Sequence, residues 1–89
     1  MNKVTIYSKS YCPYCKAAKA TLDQMGIKYH DIDVTHDAAL AQEMQQRSQR
    51  RTVPQIFINN RHLGGNDDLQ KSLKNGEFIR LIKLNHQAA

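Results

Sequence analysis

The sequence predicts an α/β fold: one mixed four-stranded sheet with helices on both faces. Three observations predict it. Short runs alternate apolar and polar residues with the period of a strand, as in Val4-Thr5-Ile6-Tyr7. Between the first two such runs lies a stretch with apolar residues at steps of three or four, the mark of an amphipathic helix. A strand-helix-strand unit of this kind requires a parallel pair joined by a right-handed crossover. Further on, Asn59-Asn60 separates two short runs and predicts a tight hairpin, hence an antiparallel pair. One mixed sheet satisfies both demands.

Taken in order, Lys3 to Ser8 reads as the first strand. Ser10-Tyr11 is a short loop, and Pro13 suits the first turn of a helix, where its missing N–H is not needed. Cys15, Ala18, Leu22 and Met25 form the buried stripe of that helix, and Gly26 ends it. Ile27 to Val34 is the second strand. Thr35 or Asp37 caps a second helix running to about Ser48, with Leu40 and Met44 facing inward. Arg50 to Pro54 is a loop, Gln55 to Ile58 a strand, and Arg61-His62-Leu63 the returning strand. Gly64-Gly65 breaks the chain. Asn66 is expected to cap a third helix with Asp67 and Asp68 in its first turn. Gly76 interrupts, and Phe78, Leu81 and Ile82 mark a final helix.

The chain of 89 residues, 40% hydrophobic and 24% charged, is expected to form a single domain over 1–89. No apolar run approaches the roughly 18 residues of a membrane span, and the opening residues do not resemble a signal peptide. A cytoplasmic protein is expected. In that compartment structural disulfides are rare, and a Cys-x-x-Cys pair is catalytic or metal-binding. The net charge of +5 is spread over Lys9, Lys16 and Lys19 near the cysteines and Arg47, Arg50 and Arg51 further on. There is no Trp, and the aromatics are not interleaved with the basic residues as in a base-stacking surface. A small anion fits this distribution better than a nucleic acid.

The chemistry concentrates in Cys12-Pro13-Tyr14-Cys15, which holds the only two cysteines. A spacing of one helical turn puts both sulfurs on one side of the helix start. At Cys12 the unpaired amides and positive dipole end of the helix favour a thiolate, and Lys9 and Lys16 add positive potential. Cys15 heads the apolar stripe and is expected to face inward and keep its proton. Cys12 is therefore the attacking thiol, exposed at the surface, and Cys15 the resolving one. A closed zinc site needs two further ligands. The candidates His30, His36, His62 and His86 are not spaced as a pair, so no metal is expected and the four read as surface residues. Two further segments are weaker alone. Base rates favour a trans bond before Pro54. Gly64-Gly65-Asn66-Asp67 permits close backbone approach by a ligand, offering amides to a carboxylate and Asp67 to an ammonium group.

CPYC at 12–15, TVPQIFI at 52–58 and GGNDDL at 64–69, in that order and spacing, resemble the glutaredoxins, in particular the small bacterial glutaredoxin 3 type. The resemblance covers residues 3 to about 75. It implies a thioredoxin-like fold, glutathione as co-substrate, and a cis proline at Pro54 that leaves the Val53 backbone free to pair with the glutathione cysteinyl unit. It further implies Lys9 at the glycine carboxylate, with Arg47 or Arg50 as helper. Tyr14 would flank the sulfur, Thr52 would line the groove, and Gly65, Asn66 and Asp67 would hold the γ-glutamyl end. Two departures stand out: Asn66 where similar proteins often carry Cys or Ser, and Arg51 where Thr is common.

The implied activity is glutathione-dependent thiol–disulfide exchange on protein–glutathione mixed disulfides and protein disulfides, by a monomer, with ribonucleotide reductase as a family-level client. The alternative is a dimer bridged by an iron–sulfur cluster through Cys12 and glutathione, disfavoured by Pro13, which stiffens the helix start. A thioredoxin-type reductant lacks its WCGPC signature here.

Overall fold

A computed structural model describes residues 3–88 of the chain, with side chains through residue 82. Its elements run β1 (Val4–Ser8), α1 (Pro13–Gln24), β2 (His30–Asp33), α2 (Ala38–Ser48), β3 (Gln55–Ile58), β4 (Arg61–Gly64), α3 (Asn66–Lys74) and α4 (Glu77–Ala88). The four strands form one sheet in the order β2-β1-β3-β4. β1 pairs parallel with β2 and antiparallel with β3, and β3 pairs antiparallel with β4. The βαβ unit and the Asn59-Asn60 hairpin are thus both present, in the expected mixed sheet.

Period-2 alternation splits the sheet into two faces. Val4 and Ile6 of β1 and Ile56 and Ile58 of β3 pack against Ala18 and Leu22 of α1, Leu69 of α3, and Phe78 and Leu81 of α4. On the other face Tyr7 and Phe57 pack against Met44, Leu40 and Ala41 of α2 and against Val34. Each fully buried large side chain contributes about 1.5–3 kcal/mol relative to exposure. Central β1 and β3 are buried along their whole length, whereas edge strand β2 is largely exposed.

Several boundaries differ from the sequence reading. β2 begins at His30 rather than Ile27, because the Ile27 amide still donates to the Leu22 carbonyl at 3.0 Å and holds the chain around the end of α1. Met25 is 38% exposed: it occupies the C-cap of α1 instead of continuing the buried stripe. Asp37, not Thr35, caps α2, its carboxylate accepting from the Leu40 amide at 3.0 Å. Thr35 is held by Asp33 instead. Gly65, not Asn66, is the N-cap of α3, and Asn66 is the first helical residue. The physical reason is Asp68, whose carboxylate turns back to accept from the Gly65 amide at 2.9 Å. The Val53–Pro54 bond is cis, against the base rate and in line with the resemblance. No helix among the described residues is long and apolar enough to cross a membrane.

Candidate active site

Helix α1 starts at Cys12. The Cys12 amide donates to the Lys9 carbonyl at 3.2 Å, turning the chain out of β1, and Pro13 takes the first helical position. Cys12 is the N-cap itself: its Sγ accepts from the Cys15 amide at 3.4 Å. The sulfur therefore replaces the oxygen that commonly satisfies a helix's free amides. A sulfur there is best as a thiolate, because the helix start presents donors and a positive dipole end.

The two thiols differ as their positions require. Burial pushes the Cys12 thiol up, but hydrogen bonds from the Cys15 side chain and from the Cys15 and Tyr14 amides, with the Lys9 charge, outweigh it and hold it below the ordinary cysteine value. Burial pushes Cys15, fully enclosed, up to about 11. Cys12 is less open than the sequence suggested, at 9% exposure, because the Thr52–Pro54 loop lies over it. The Cys12 thiol reaches the Val53 carbonyl at 3.7 Å. Once ionised, Cys12 no longer donates, and that carbonyl becomes available to a ligand.

A cleft of about 210 Å³ opens beside this loop, lined by Tyr14, Arg50, Thr52, Val53, Pro54, Gly65, Asn66, Asp67 and Asp68. Three segments distant in sequence meet there: the start of α1, the cis-proline loop and the start of α3. A Cβ at Gly65 would sit 3.4 Å from the Pro54 carbonyl oxygen, so the two backbone segments approach closely. Tyr14 is 64% exposed at the rim. Seven of the eight residues named from sequence as ligand contacts line the cleft: Tyr14, Thr52, Val53, Pro54, Gly65, Asn66 and Asp67. The eighth, Lys9, does not line it and acts on the site through its charge on Cys12.

Of the two arginines offered as helpers, Arg50 lines the cleft and pairs with Asp68 at 2.9 Å. Arg47 does not: its guanidinium lies 4.2 Å from the centre of the Phe57 ring and donates to the Tyr7 hydroxyl at 2.6 Å, on the α2 face of the sheet. There it lines a second, larger cleft of about 650 Å³ with Tyr7, Glu43, Lys3 and His30. Arg51 is exposed and lies outside the first cleft, and Lys19 is committed to an ion pair with Asp31.

Asp68 was not expected as a cleft residue. Its bonds to Arg50 and to the Gly65 amide hold its carboxyl below the ordinary range. The signal for it was its position, three residues after the cap, where a carboxylate reaches back to the cap amide. Nor is His62 a free surface histidine: its Nε2 lies 2.7 Å from Gln55 Oε1, and its ring rests 5.0 Å from that of Phe57. His86 lies outside the described side chains. Among the described residues no group of three or more His, Cys, Asp or Glu side chains converges as a metal site.

Chemically, the site offers a nucleophilic sulfur held by helix amides, a second thiol one turn away that stays protonated, and a cleft with amide donors, carboxylates and a guanidinium. The glutaredoxin family model matches residues 4–63. The chain is 45% identical over 83 residues to glutaredoxin 3 of Escherichia coli strain K12, spanning 93% of this chain and all of that relative. A crystal structure of a buckwheat glutaredoxin–glutathione complex superposes with a TM-score of 0.83 at 30% identity, covering 92% of this chain and 77% of that one. The solution structure of a Brucella melitensis glutaredoxin gives 0.78 at 44% identity, covering 89% and 86%.

Proposed function

The chain belongs to the glutaredoxin family, and from that premise we propose that it is a glutathione-dependent thiol–disulfide oxidoreductase in which Cys12 is the nucleophile. The observation that carries the reading is the inequality of the two thiols at one helix start: Cys12 lowered, Cys15 raised to about 11, with the cleft beside them.

In the first step the Cys12 thiolate attacks the glutathione sulfur of a protein–glutathione mixed disulfide. The S–S bond breaks, the protein thiolate leaves and takes a proton from solvent, and Cys12 carries the glutathione. A second glutathione, as its thiolate, attacks the glutathione sulfur on Cys12. Glutathione disulfide departs and the Cys12 thiolate returns to the amides of α1. Because Cys15 holds its proton at neutral pH, it does not compete while glutathione is abundant. On a protein disulfide, Cys12 forms the mixed disulfide, and Cys15, after giving up its proton, attacks the Cys12 sulfur and releases the reduced client. A potential of about −200 to −230 mV is expected for this class.

The cleft suits glutathione at both charged ends. The Val53 backbone would pair with the cysteinyl unit as a short added strand. The Gly65 and Asn66 region at the start of α3 would take the γ-glutamyl carboxylate, with Asp67 taking its ammonium group. Thr52, Pro54 and Tyr14 would form the walls. Lys9 and Arg50 would draw in the glycine carboxylate. Clients would be glutathionylated or disulfide-bonded proteins, ribonucleotide reductase among them, met by a monomer.

The test is turnover of a glutathionylated peptide with either glutathione or thioredoxin reductase as electron source. Glutathione should support turnover and the reductase should not. Cys15→Ser should retain this activity and lose reduction of protein disulfides, and Cys12→Ser should lose both. Full activity of Cys12→Ser, or turnover with the reductase alone, would overturn the reading.

A further inference from the structure

Behind the cleft wall a polar chain runs from Thr52 through Gln55 to His62. Gln55 is fully buried, the first residue of β3. Its Nε2 sits 3.0 Å from the Thr52 carbonyl oxygen and 3.1 Å from Thr52 Oγ1, and its Oε1 sits 2.7 Å from His62 Nε2. A backbone carbonyl oxygen only accepts, so the Gln55 atom facing it must be the amide nitrogen. Its other end is then an acceptor, and His62 Nε2 must carry a proton. The Gln55 amide nitrogen donates to both Thr52 oxygens, so the Thr52 hydroxyl is an acceptor on its inner side. Among the described residues that hydroxyl donates to nothing, and Thr52 lines the cleft. Its proton is left for the ligand.

We propose that His62 is a positioning residue for the cleft: by donating to Gln55 it holds the Gln55 amide, together with the Thr52 carbonyl, in the place from which it aims the Thr52 hydroxyl proton at an acceptor group of the ligand. This rests on the reading of that ligand as glutathione, whose two carboxylates and two amide carbonyls are acceptors. Without a donor at position 62 the amide loses the partner for its oxygen. It then shifts away from the Thr52 hydroxyl, which is no longer held on its inner side and can turn its proton away from the ligand. Burial and the nearby Arg50 charge keep His62 below its ordinary value despite Asp68, so the neutral Nε2–H form holds the chain at neutral pH. The cation keeps the same Nε2–H donor.

The probe is S-methylglutathione, which binds without thiol exchange, measured by calorimetry. Wild type should bind. His62→Leu should weaken binding about tenfold, the size expected for one lost hydrogen bond to the ligand, and raise KM for the glutathionylated peptide, whose glutathionyl group the cleft holds, with kcat unchanged. His62→Gln, which restores an N–H donor of similar reach, should bind within about threefold of wild type. In a Thr52→Val background His62→Leu should cost nothing more, because both act through one hydroxyl. Nitrogen-15 spectra of the unliganded wild type should show the proton of neutral His62 on Nε2, a readout independent of whether any variant folds. Unweakened binding by a folded His62→Leu, an undiminished loss in the Thr52→Val background, or a proton on Nδ1 overturns the role of His62. Failure of wild type to bind the probe overturns the glutathione reading itself, and the relay with it.

Discussion

Gly64→Ala tests whether the start of α3 depends on a close approach that only glycine permits. Gly64 has φ +127°, and a Cβ built there would lie 2.4 Å from Asp68 Cγ and 2.7 Å from its Cβ, overlapping the carboxylate. Alanine therefore has to adopt a backbone conformation that L residues avoid, at about 1–3 kcal/mol. It also has to expel the Asp68 side chain. The displaced carboxylate loses its bond to the Gly65 amide, a helix cap of about 1 kcal/mol. The Arg50 pair is exposed and adds little. The total is about 2–4 kcal/mol. For a domain of this size that lowers Tm by about 8–30 °C, read by thermal melts and urea titration. Gly76→Ala is the control, with φ +80° but, among the described residues beyond its chain neighbours, no atom within 4 Å of its Cβ, so it carries the backbone cost alone. In an Asp68→Ala background the Gly64→Ala cost should fall, because the overlapping carboxylate is gone. A loss no larger than that of Gly76→Ala, or one unchanged in the Asp68→Ala background, refutes the reasoning.

Iodoacetamide at neutral pH should alkylate Cys12 alone, with the reaction rate rising with pH at values below those of a free cysteine, as mass spectrometry of timed samples will show; Cys15, at about 11, should react only after unfolding. Asp68 has a depressed folded-state pKa, so its stabilisation is present above the ordinary value of 3.8 and is lost as pH falls through the folded value. Urea midpoints of Asp68→Asn should accordingly fall less steeply than wild type below about pH 4. Arg47→Met should reduce stability by about 0.5–1 kcal/mol through loss of the cation over Phe57. It should leave KM for the glutathionylated peptide unchanged, since Arg47 lines the other cleft; a raised KM counts against that placement.

Much of this was legible because the strongest signals are local. Alternation in Val4-Thr5-Ile6-Tyr7, Pro13 at a helix start and the Asn59-Asn60 turn each depend on neighbours in sequence, and each appears where it was read. The inequality of Cys12 and Cys15 was readable for the same reason, since a helix dipole and an apolar stripe are both local. What escaped depends on tertiary placement. Arg47 and Arg50 are three residues apart on and after α2, and only the packing of α2 on the sheet sends one to Phe57 and the other to the cleft. Asn66 looked like a cap because its chemistry suits one, but a carboxylate at Asp68 able to reach the Gly65 amide moves the cap back by one. The His62–Gln55 bond crosses the β3–β4 hairpin, and nothing in either residue's neighbourhood announces it.

The central position of β1 has a consequence for how the chain is made. Its neighbour on one side, β2, follows after a single helix, but its other partner, β3, begins only at Gln55, with Thr5 registered against Phe57. During synthesis at about 5–20 residues per second, the 46 residues between Ser8 and Gln55 take roughly 2–9 s to appear. For that interval a strand destined for complete burial has one edge without its hydrogen-bonding partner. The nascent βαβ unit is therefore the stage at which the chain is most open to pairing with the wrong strand, its own or another's.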